Sequence, residues 1–490
     1  MAQLKSWISL PLGLPTNEFQ ELIQKTKDWT LMHGGGIRSK HHFSSDSLTV
    51  VPFTLLPSVF PRDEFQKALN IQPVLNELTH MVSRDYEFLQ SCLEKTIEVD
   101  EFTNNLYKLY ETVREEGFTQ CGALQSKCLG LLRSDYMLDV CHSLSVKQVE
   151  MNTIASSFGG MTSSVLTHRF VLQQLDLLDT FKLLPENKAV QGLCSAIIKA
   201  WELFNDEDSV VLVIIEDKSI NICDQRFHEF ELTRQKPELR VIRKTLTQIS
   251  NEAKLTESKD LIVQSKKVAV VYYRAGYSPD HYHSDAEWSA RLLIERSTAI
   301  KCPNIQYHLA GTKKVQQSLA IPGMLERFIK DPAKVADVRE VFTGLYSLDL
   351  DESGDKAVKL ALDNPECYVL KPQREGGGNN FYGEAIRQKL MSCINSKERS
   401  AWILMEKICP PVQQNYLIRP EQDFTKNSTL NDVISELGIF GTILCDGDTI
   451  LLNEQVGHMM RTKLTSCNEG GVHAGDGVLD SPFLIDLQKK

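Results

Sequence analysis

The spacing of apolar residues changes character twice along this chain. Near the N-terminus it is helical: Phe19, Leu22 and Ile23 share a face, Pro15 precedes the segment, and Gly34-Gly35-Gly36 reads as its terminator. The same spacing predicts helices over Asp63–Val82, broken or kinked around Pro73, and over Ser163–Leu184. In the middle the apolar runs become continuous. Ser209–Ile215 and Lys267–Tyr273 are rich in β-branched residues, as expected for strands buried on both faces of a parallel sheet, and a helical stretch over Asp285–Arg296 follows. This alternation predicts a compact α/β unit inserted in a larger fold. The last third reads as antiparallel β with helices on one side. Ile434–Leu444 and Thr449–Val456 flank Asp446-Gly447-Asp448, a hairpin turn between two apolar-patterned runs.

The expected class is therefore α/β (α+β), and composition agrees with it. With 490 residues, 42% hydrophobic and 24% charged, the chain can bury an ordinary core in two or three folding units. Asp and Glu outnumber Lys and Arg, 64 to 54, for a net charge of -10, which argues against nucleic acid and anionic membranes as partners. No apolar run has bilayer length, and Ile8–Leu14 is too short and too interrupted by Pro11 to serve as a signal peptide, so a cytoplasmic protein is expected unless a leader lies outside this sequence. The 12 cysteines, among them Cys121, are scattered without a CxxC pair, which suits reduced thiols. The sequon Asn427-Ser428-Thr429 carries no weight in that setting. His281-Tyr282-His283 lacks cysteine partners, so no zinc site is expected there. No nucleophile elbow or reactive cysteine setting is visible, which disfavours covalent catalysis.

The most informative segment runs from Tyr368 to Tyr382. A short apolar strand delivers Lys371, and a loop follows with Gln373, Arg374, Glu375, Gly376, Gly377, Gly378, Asn379 and Asn380. Glycines let backbone N–H groups approach a polyphosphate closely, Lys371 supplies a point charge, and Glu375 can hold Mg²⁺ against the same phosphates. A mobile surface loop remains the alternative on glycine content alone. The loop matches neither GxxxxGK[ST] nor a GxGxxG turn. Strand alternation over Val149–Thr153 places Glu150 and Asn152 on one face, two oxygen donors suited to a hard cation, although taken without the glycine loop a solvated strand face is the better explanation. Ala401–Ile408 is another buried run ending in polar groups, and Glu436 puts a carboxylate inside an apolar strand, where it wants a partner. Arg461 can grip a carboxylate bidentately, ahead of a second glycine-rich stretch over Glu469–Gly475.

Taken in chain order, Arg133-Ser134-Asp135-Tyr136-Met137, Glu150-Met151-Asn152-Thr153-Ile154, Leu309–Val315, the Lys371–Asn380 loop, Met405-Glu406-Lys407-Ile408, Ser435–Gly441 and Arg461-Thr462-Lys463 resemble the eukaryotic glutathione synthetase family. The matches run from about residue 50 to the C-terminus. The resemblance implies an ATP-grasp fold with a glycine-rich lid: residues 1–209 and 313–490 as catalytic body, the lid at about 345–425, and 210–312 as an α/β substrate-binding domain. It implies ATP and Mg²⁺, a homodimer, and ligation of γ-glutamylcysteine to glycine or a related small amino acid through an acyl phosphate. No enzyme nucleophile is needed in such a reaction.

By matching position, the resemblance makes Glu150, Asn152 and Glu375 the metal ligands and Arg133 and Arg461 the catalytic arginines. Lys313, Lys371 and the glycine loop would contact the nucleotide phosphates, with Tyr382, Met405 to Ile408, Glu436, Lys463 and Glu469 as further nucleotide contacts. Arg133, Ser156, Ser157, Asn221, Gln225, Arg274 and Tyr277 would hold γ-glutamylcysteine, and Arg461, Val472 and His473 would face the acceptor. Two departures bear on substrate identity. Ala275 stands where the family pattern has aspartate, beside the expected peptide site, and His473 where a small alanine is usual. Two readings follow: a working ligase, or a diverged copy with a different acceptor or little synthetase activity that acts as a binding or effector protein.

Overall fold

The computed structural model describes residues 12–117, 125–141, 143–375, 378–421, 430–472 and 475–487. Its centre is the expected hairpin, longer than the sequence suggested: strands Asn431–Asp446 and Thr449–Leu464, turning at Gly447 with φ +57°. The first of these pairs antiparallel with Lys127–Asp139, which pairs in turn with Ser145–Asn152. On the other side Gly477–Asp480, Phe53–Thr54 and Leu417–Ile418 extend the sheet, and Gln413–Asn415 joins the far end of Asn431–Asp446 to complete eight strands.

Period-two alternation explains why this sheet is apolar on both faces. Leu437, Ile439, Ile443 and Cys445 pack with Leu75, Leu78 and Val82 of helix Arg62–Arg84. Phe440 and Leu444 turn to the opposite face and pack with Val190, Leu193 and Ile197 of helix Ala189–Phe204.

Helix Arg62–Arg84 runs as one element of 23 residues through Pro73, where a break or kink was expected. An interior proline costs roughly 3 kcal/mol. Burial of Phe65, Ala68, Ile71, Leu75, Leu78 and Val82 against the sheet offsets it. The opposite correction applies to Ser163–Leu184. The chain there forms Gly159–Ser164, Thr167–Gln174 and the 3₁₀ turn Leu178–Leu183, with Val165 extended and Asp176 left-handed at φ +56°. Ser163 Oγ donates back to the Gly159 carbonyl, and Val165 is β-branched; both favour a break.

The middle of the chain contains the parallel sheet: Arg240–Lys244, Val210–Ile214, Lys266–Tyr273 and Ile300–Cys302 in spatial order. Leu261–Val263 and Lys254–Leu255 add to it antiparallel. A third, antiparallel sheet comprises Leu345–Ser347, Trp402–Glu406, Tyr368–Pro372 and Phe381–Tyr382. Tyr368, Leu370 and Leu404 pack with helices Glu352–Asp363 and Glu384–Cys393. By alternation, Val369, Lys371 and Met405 face the other way, toward a cleft. Among the described residues every cysteine is a free thiol, and no helix is long and apolar enough to cross a membrane. Gly376, Gly377, Cys121, the 427–429 sequon and His473 lie outside the described residues.

Candidate functional site

The cleft has a volume of about 280 Å³ and takes its walls from the third sheet and the edge of the eight-stranded one. Strand register assembles its polar floor. Arg133 lies opposite Asn152, Asp135 opposite both Glu150 and Gly438, Glu436 opposite Arg461, and Ile434 opposite Lys463. Gly438 is required by this crowding, because a Cβ there would stand 2.8 Å from Asp135 Oδ1 and 2.9 Å from Arg133 Cδ.

Asp135, 1% exposed, is the hub of one charge network. Arg133 grips it with Nε at 2.6 Å and Nη2 at 2.8 Å, while Arg133 Nη1 donates to the Ser157 carbonyl at 3.1 Å. Asn152 Nδ2 donates to Asp135 Oδ2 at 3.0 Å and to the Arg133 carbonyl at 3.2 Å, which leaves the amide oxygen for the cleft. Arg461 donates to Glu436 from Nε at 3.1 Å and from Nη2, and lies 3.6 Å from Asp135. Burial works against the Arg461 charge, but Glu436 and Asp135 hold its pKa above the ordinary value.

The second network centres on Lys313, 3% exposed at the start of helix Lys313–Leu319. Its Nζ is 3.1 Å from Glu150 and 3.1 Å from Glu375. Burial opposes this ammonium, and the two carboxylates outweigh it to raise its pKa. The carboxylates share one cation unequally. Glu150 resists burial because Lys313, Lys371 and Arg461 surround it, and its pKa is held low; burial and the neighbouring Glu150 push Glu375 up. Lys371, 5% exposed, donates to the Val149 carbonyl at 2.9 Å, and burial lowers its pKa. Lys463 is likewise lowered by burial and donates to the Asn468 carbonyl.

Above this floor, Met137, Val149, Val369, Met405, Ile408 and Ile434 form an apolar wall. Glu406 and Lys407 also line the cleft, although Glu406 accepts from Tyr346 Oη at 2.6 Å and from the Gly344 N–H at 3.1 Å. Asn380 Nδ2 and Tyr382 Oη both donate to Glu469, at 3.0 and 3.3 Å, tying the two glycine-rich segments together across the mouth. Val472 completes the lining and is buried.

Several expected residues stand behind the cleft. Gln373 accepts the Lys314 N–H at 3.0 Å, and Arg374 pairs with Asp100 at 2.7 Å, so both brace the loop from outside; Gly378 and Asn379 are also absent from the lining. Ser156 donates to the Leu131 carbonyl at 3.1 Å. On the parallel-sheet side Arg274 Nη2 donates to Ser157 Oγ at 3.0 Å and to Asp224 at 3.3 Å. Arg274 Nε and Nη1 and Asn221 Oδ1 are buried with no partner among the described residues. Gln225 accepts from Arg243 at 2.6 Å, and Tyr277, which lines the cleft, donates to Glu216 at 3.0 Å. Ala155 and Phe158, in the loop carrying Ser157, adopt left-handed backbone at φ +54° and +72°, strain of a kind that collects at ligand sites.

Two groups were missed from sequence. Asp135 carries no signal of its own in the sequence, because Arg133 and Asn152 meet it only through the strand register. Asp224, fully buried, accepts the N–H groups of Phe158, Gly160 and Met161 and so shapes that strained loop. Its signal was visible: helix Ile222–Gln235 buries Asp224, Gln225, His228 and Glu229 where an ordinary helix buries apolar residues. Ala275 is 2% exposed and opens on a separate hollow of about 350 Å³ with Glu216, Asp217 and His281, not on the cleft.

A family model described as the eukaryotic glutathione synthase ATP binding domain matches residues 16–484. The chain is 42% identical to glutathione synthetase of Xenopus laevis over 96% of this chain and 98% of that one, and 43% identical to that of Homo sapiens over 96% and 97%. The chloroplastic glutathione synthetase of Solanum lycopersicum is 42% identical over 97% and 87%. A solved glutathione synthetase-like effector from Globodera pallida, in its apo form, superposes with a TM-score of 0.77 at 25% identity, covering 98% of this chain and 100% of that one. The chain belongs to the eukaryotic glutathione synthase family, whose members are ligases that form carbon–nitrogen bonds.

Proposed function

We propose that this chain joins γ-glutamylcysteine to glycine at the expense of ATP, forming glutathione. The observation that carries the reading is the convergence of Glu150, Glu375, Asn152 and Lys371 beneath an apolar wall of one cleft, with Lys313 bridging the two glutamates from behind. A flat base fits the wall of Met137, Val149, Val369, Met405 and Ile408, and the buried lysines face the phosphates. The floor also fits a hard cation, because its donors are oxygens and a buried ammonium already bridges the two carboxylates. Glu150, Glu375 and Asn152 would hold Mg²⁺, which when bound neutralises phosphate charge.

A free carboxylate is a poor electrophile. Phosphorylation of the cysteinyl carboxylate converts it to an acyl phosphate; the glycine amine then attacks the acyl carbon, the C–O bond to phosphate breaks, and inorganic phosphate and a proton leave. The chain's part is to orient, neutralise and keep water out. Arg461 and Arg133 are anchored by Glu436 and Asp135, so their positive fields are fixed before charge develops. Asn380, Tyr382 and Glu469 hold the two glycine-rich segments together over the mouth, as a lid that excludes water requires. Arg274, Ser157, Asn221, Gln225 and Tyr277 bind the peptide, with Val472 and His473 beside the acceptor. In this reading residues 210–312 form the peptide-binding unit and 345–425 the lid, the protein is a cytoplasmic homodimer, and the free thiols suit that compartment.

The second reading, a diverged binding protein, is not favoured: identity is 42–43% to the animal synthetases and 25% to the solved effector. The test is ATP-dependent phosphate release by purified protein with γ-glutamylcysteine and glycine, β-alanine, serine or no acceptor, with mass spectrometry of the product. Glycine-dependent turnover yielding glutathione supports the proposal. Turnover with another acceptor only, or none despite ATP binding, contradicts it.

A further inference from the structure

We propose that His80, Cys128 and Cys445 form a structural zinc site at the turn end of the long hairpin, remote from the cleft. Cys128 and Cys445 are direct cross-strand partners, and His80 reaches them from helix Arg62–Arg84. One nitrogen of His80 and both Sγ atoms lie within 4.8 Å of one another, and all three residues are buried. His80 Nε2 is 3.1 Å from the Gly447 carbonyl oxygen and donates to it, so Nδ1 carries the lone pair; it accepts the Tyr307 hydroxyl at 2.8 Å and lies 3.8 Å from Cys128 Sγ. A ring oriented by a backbone carbonyl behind it is how zinc-binding histidines are held. Tetrahedral zinc, with bonds of about 2.3 Å to sulfur and 2.0–2.1 Å to nitrogen, needs a nitrogen–sulfur edge of roughly 3.6 Å. The observed 3.8 Å is within a small contraction of that edge.

Zinc would displace the hydrogen bond from Tyr307 Oη to Nδ1, and that oxygen, also 3.8 Å from Cys128 Sγ, is then at hand as a fourth donor. On binding, the two thiols lose their protons to solvent, and Zn²⁺ with two thiolates and a neutral imidazole carries no net charge. A neutral site suits this burial, where an unpaired ion would be costly. The Arg84–Asp448 ion pair, at 2.6 Å, lies at the same hairpin turn. Five residues of strand, about 17 Å at roughly 3.4 Å per residue, separate Cys128 from Arg133. The ion would staple the helix to the two strands without touching the chemistry. The dispersed positions 80, 128 and 445 explain why no spacing motif announces it.

The full-length reduced protein is incubated with zinc chloride, desalted and assayed for metal, alongside Cys128→Ser, Cys445→Ser and a control with Cys141→Ser and Cys409→Ser, which disables a surface cluster with Asp139. One equivalent of zinc is expected in the wild type and the control, with loss of at least nine-tenths in either core variant and a zinc-dependent rise in Tm seen only where zinc is retained. Cobalt added to the wild type is expected to give a thiolate charge-transfer band, which reads the site even if a core variant fails to fold. Absence of both retained zinc and that band, undiminished zinc in Cys445→Ser, or loss confined to the control would overturn the proposal.

Discussion

The two sides of the site hold their charges differently. On the phosphate side the buried cations are already engaged: Lys313 lies between Glu150 and Glu375, Arg461 is clasped by Glu436, and Lys371 donates to the Val149 carbonyl. On the peptide side Arg274 keeps two buried nitrogens, and Asn221 its oxygen, without a partner among the described residues. An unsatisfied buried donor costs about 1–3 kcal/mol. On the proposed reading, Arg274 is preset for an anionic group of the peptide and Asn221 for a donor, whereas the phosphate side must exchange internal ion pairs for nucleotide and cation. One region stores unmet hydrogen-bonding capacity; the other stores charge balance.

The largest expected effect breaks the balanced side. Glu150→Gln leaves Lys313 with one carboxylate and removes a proposed cation ligand, and turnover is expected to fall by ~10²–10³-fold, the loss typical of one charge-stabilising group. The Mg²⁺ concentration for half-maximal rate should rise in the same titration. Unchanged turnover in steady-state assays would remove Glu150 from the site.

Acid should strike elsewhere, at buried neutral imidazoles. Burial holds His458 at about 4, and His228, which backs Asp224 through the Asp224 carbonyl at 2.9 Å, is also lowered by burial. These folded pKa values lie below the unfolded value of about 6.5, so the unfolded chain binds more protons below that pH. Stability is fully present above about 6.5 and is lost as the pH falls toward about 4, by roughly 3 kcal/mol for His458 alone. Thermal melts across that window are expected to show falling Tm, with His458→Gln flattening the slope.

Arg274→Gln sharpens the comparison from the peptide side. Loss of charged hydrogen bonds worth ~1.5–3 kcal/mol should raise KM for γ-glutamylcysteine by about 10–100-fold while nucleotide affinity stays level. A matching loss of nucleotide affinity would erase the distinction between the two regions. The smallest change is Tyr382→Phe. It removes one hydrogen bond to Glu469, worth ~0.5–1.5 kcal/mol, and KM for ATP should rise by no more than about tenfold.

Legibility in the sequence followed the same physical division. The hairpin and the parallel strands were plain because their patterns report burial directly. The Lys371 loop stood out because a buried strand delivers a lysine just ahead of three glycines, but glycine content alone left a surface loop as the alternative. At Pro73 the alternative of a break gave way to packing along helix Arg62–Arg84, and Ser163–Leu184 misled because helical spacing survives in three short pieces. Asp135 and Asp224 stayed silent because their roles depend on cross-strand register and on a loop from another element. Ala275, expected beside the peptide, faces a different hollow, a placement that strand alternation alone does not reveal.

The central claim, that this cleft activates a carboxylate by phosphorylation, is tested most directly by heavy-oxygen labelling of the cysteinyl carboxylate of γ-glutamylcysteine. After turnover with ATP and glycine, the account predicts one labelled oxygen in the released phosphate and one in the glutathione amide carbonyl. Unlabelled phosphate from a reaction that still consumes ATP would contradict it.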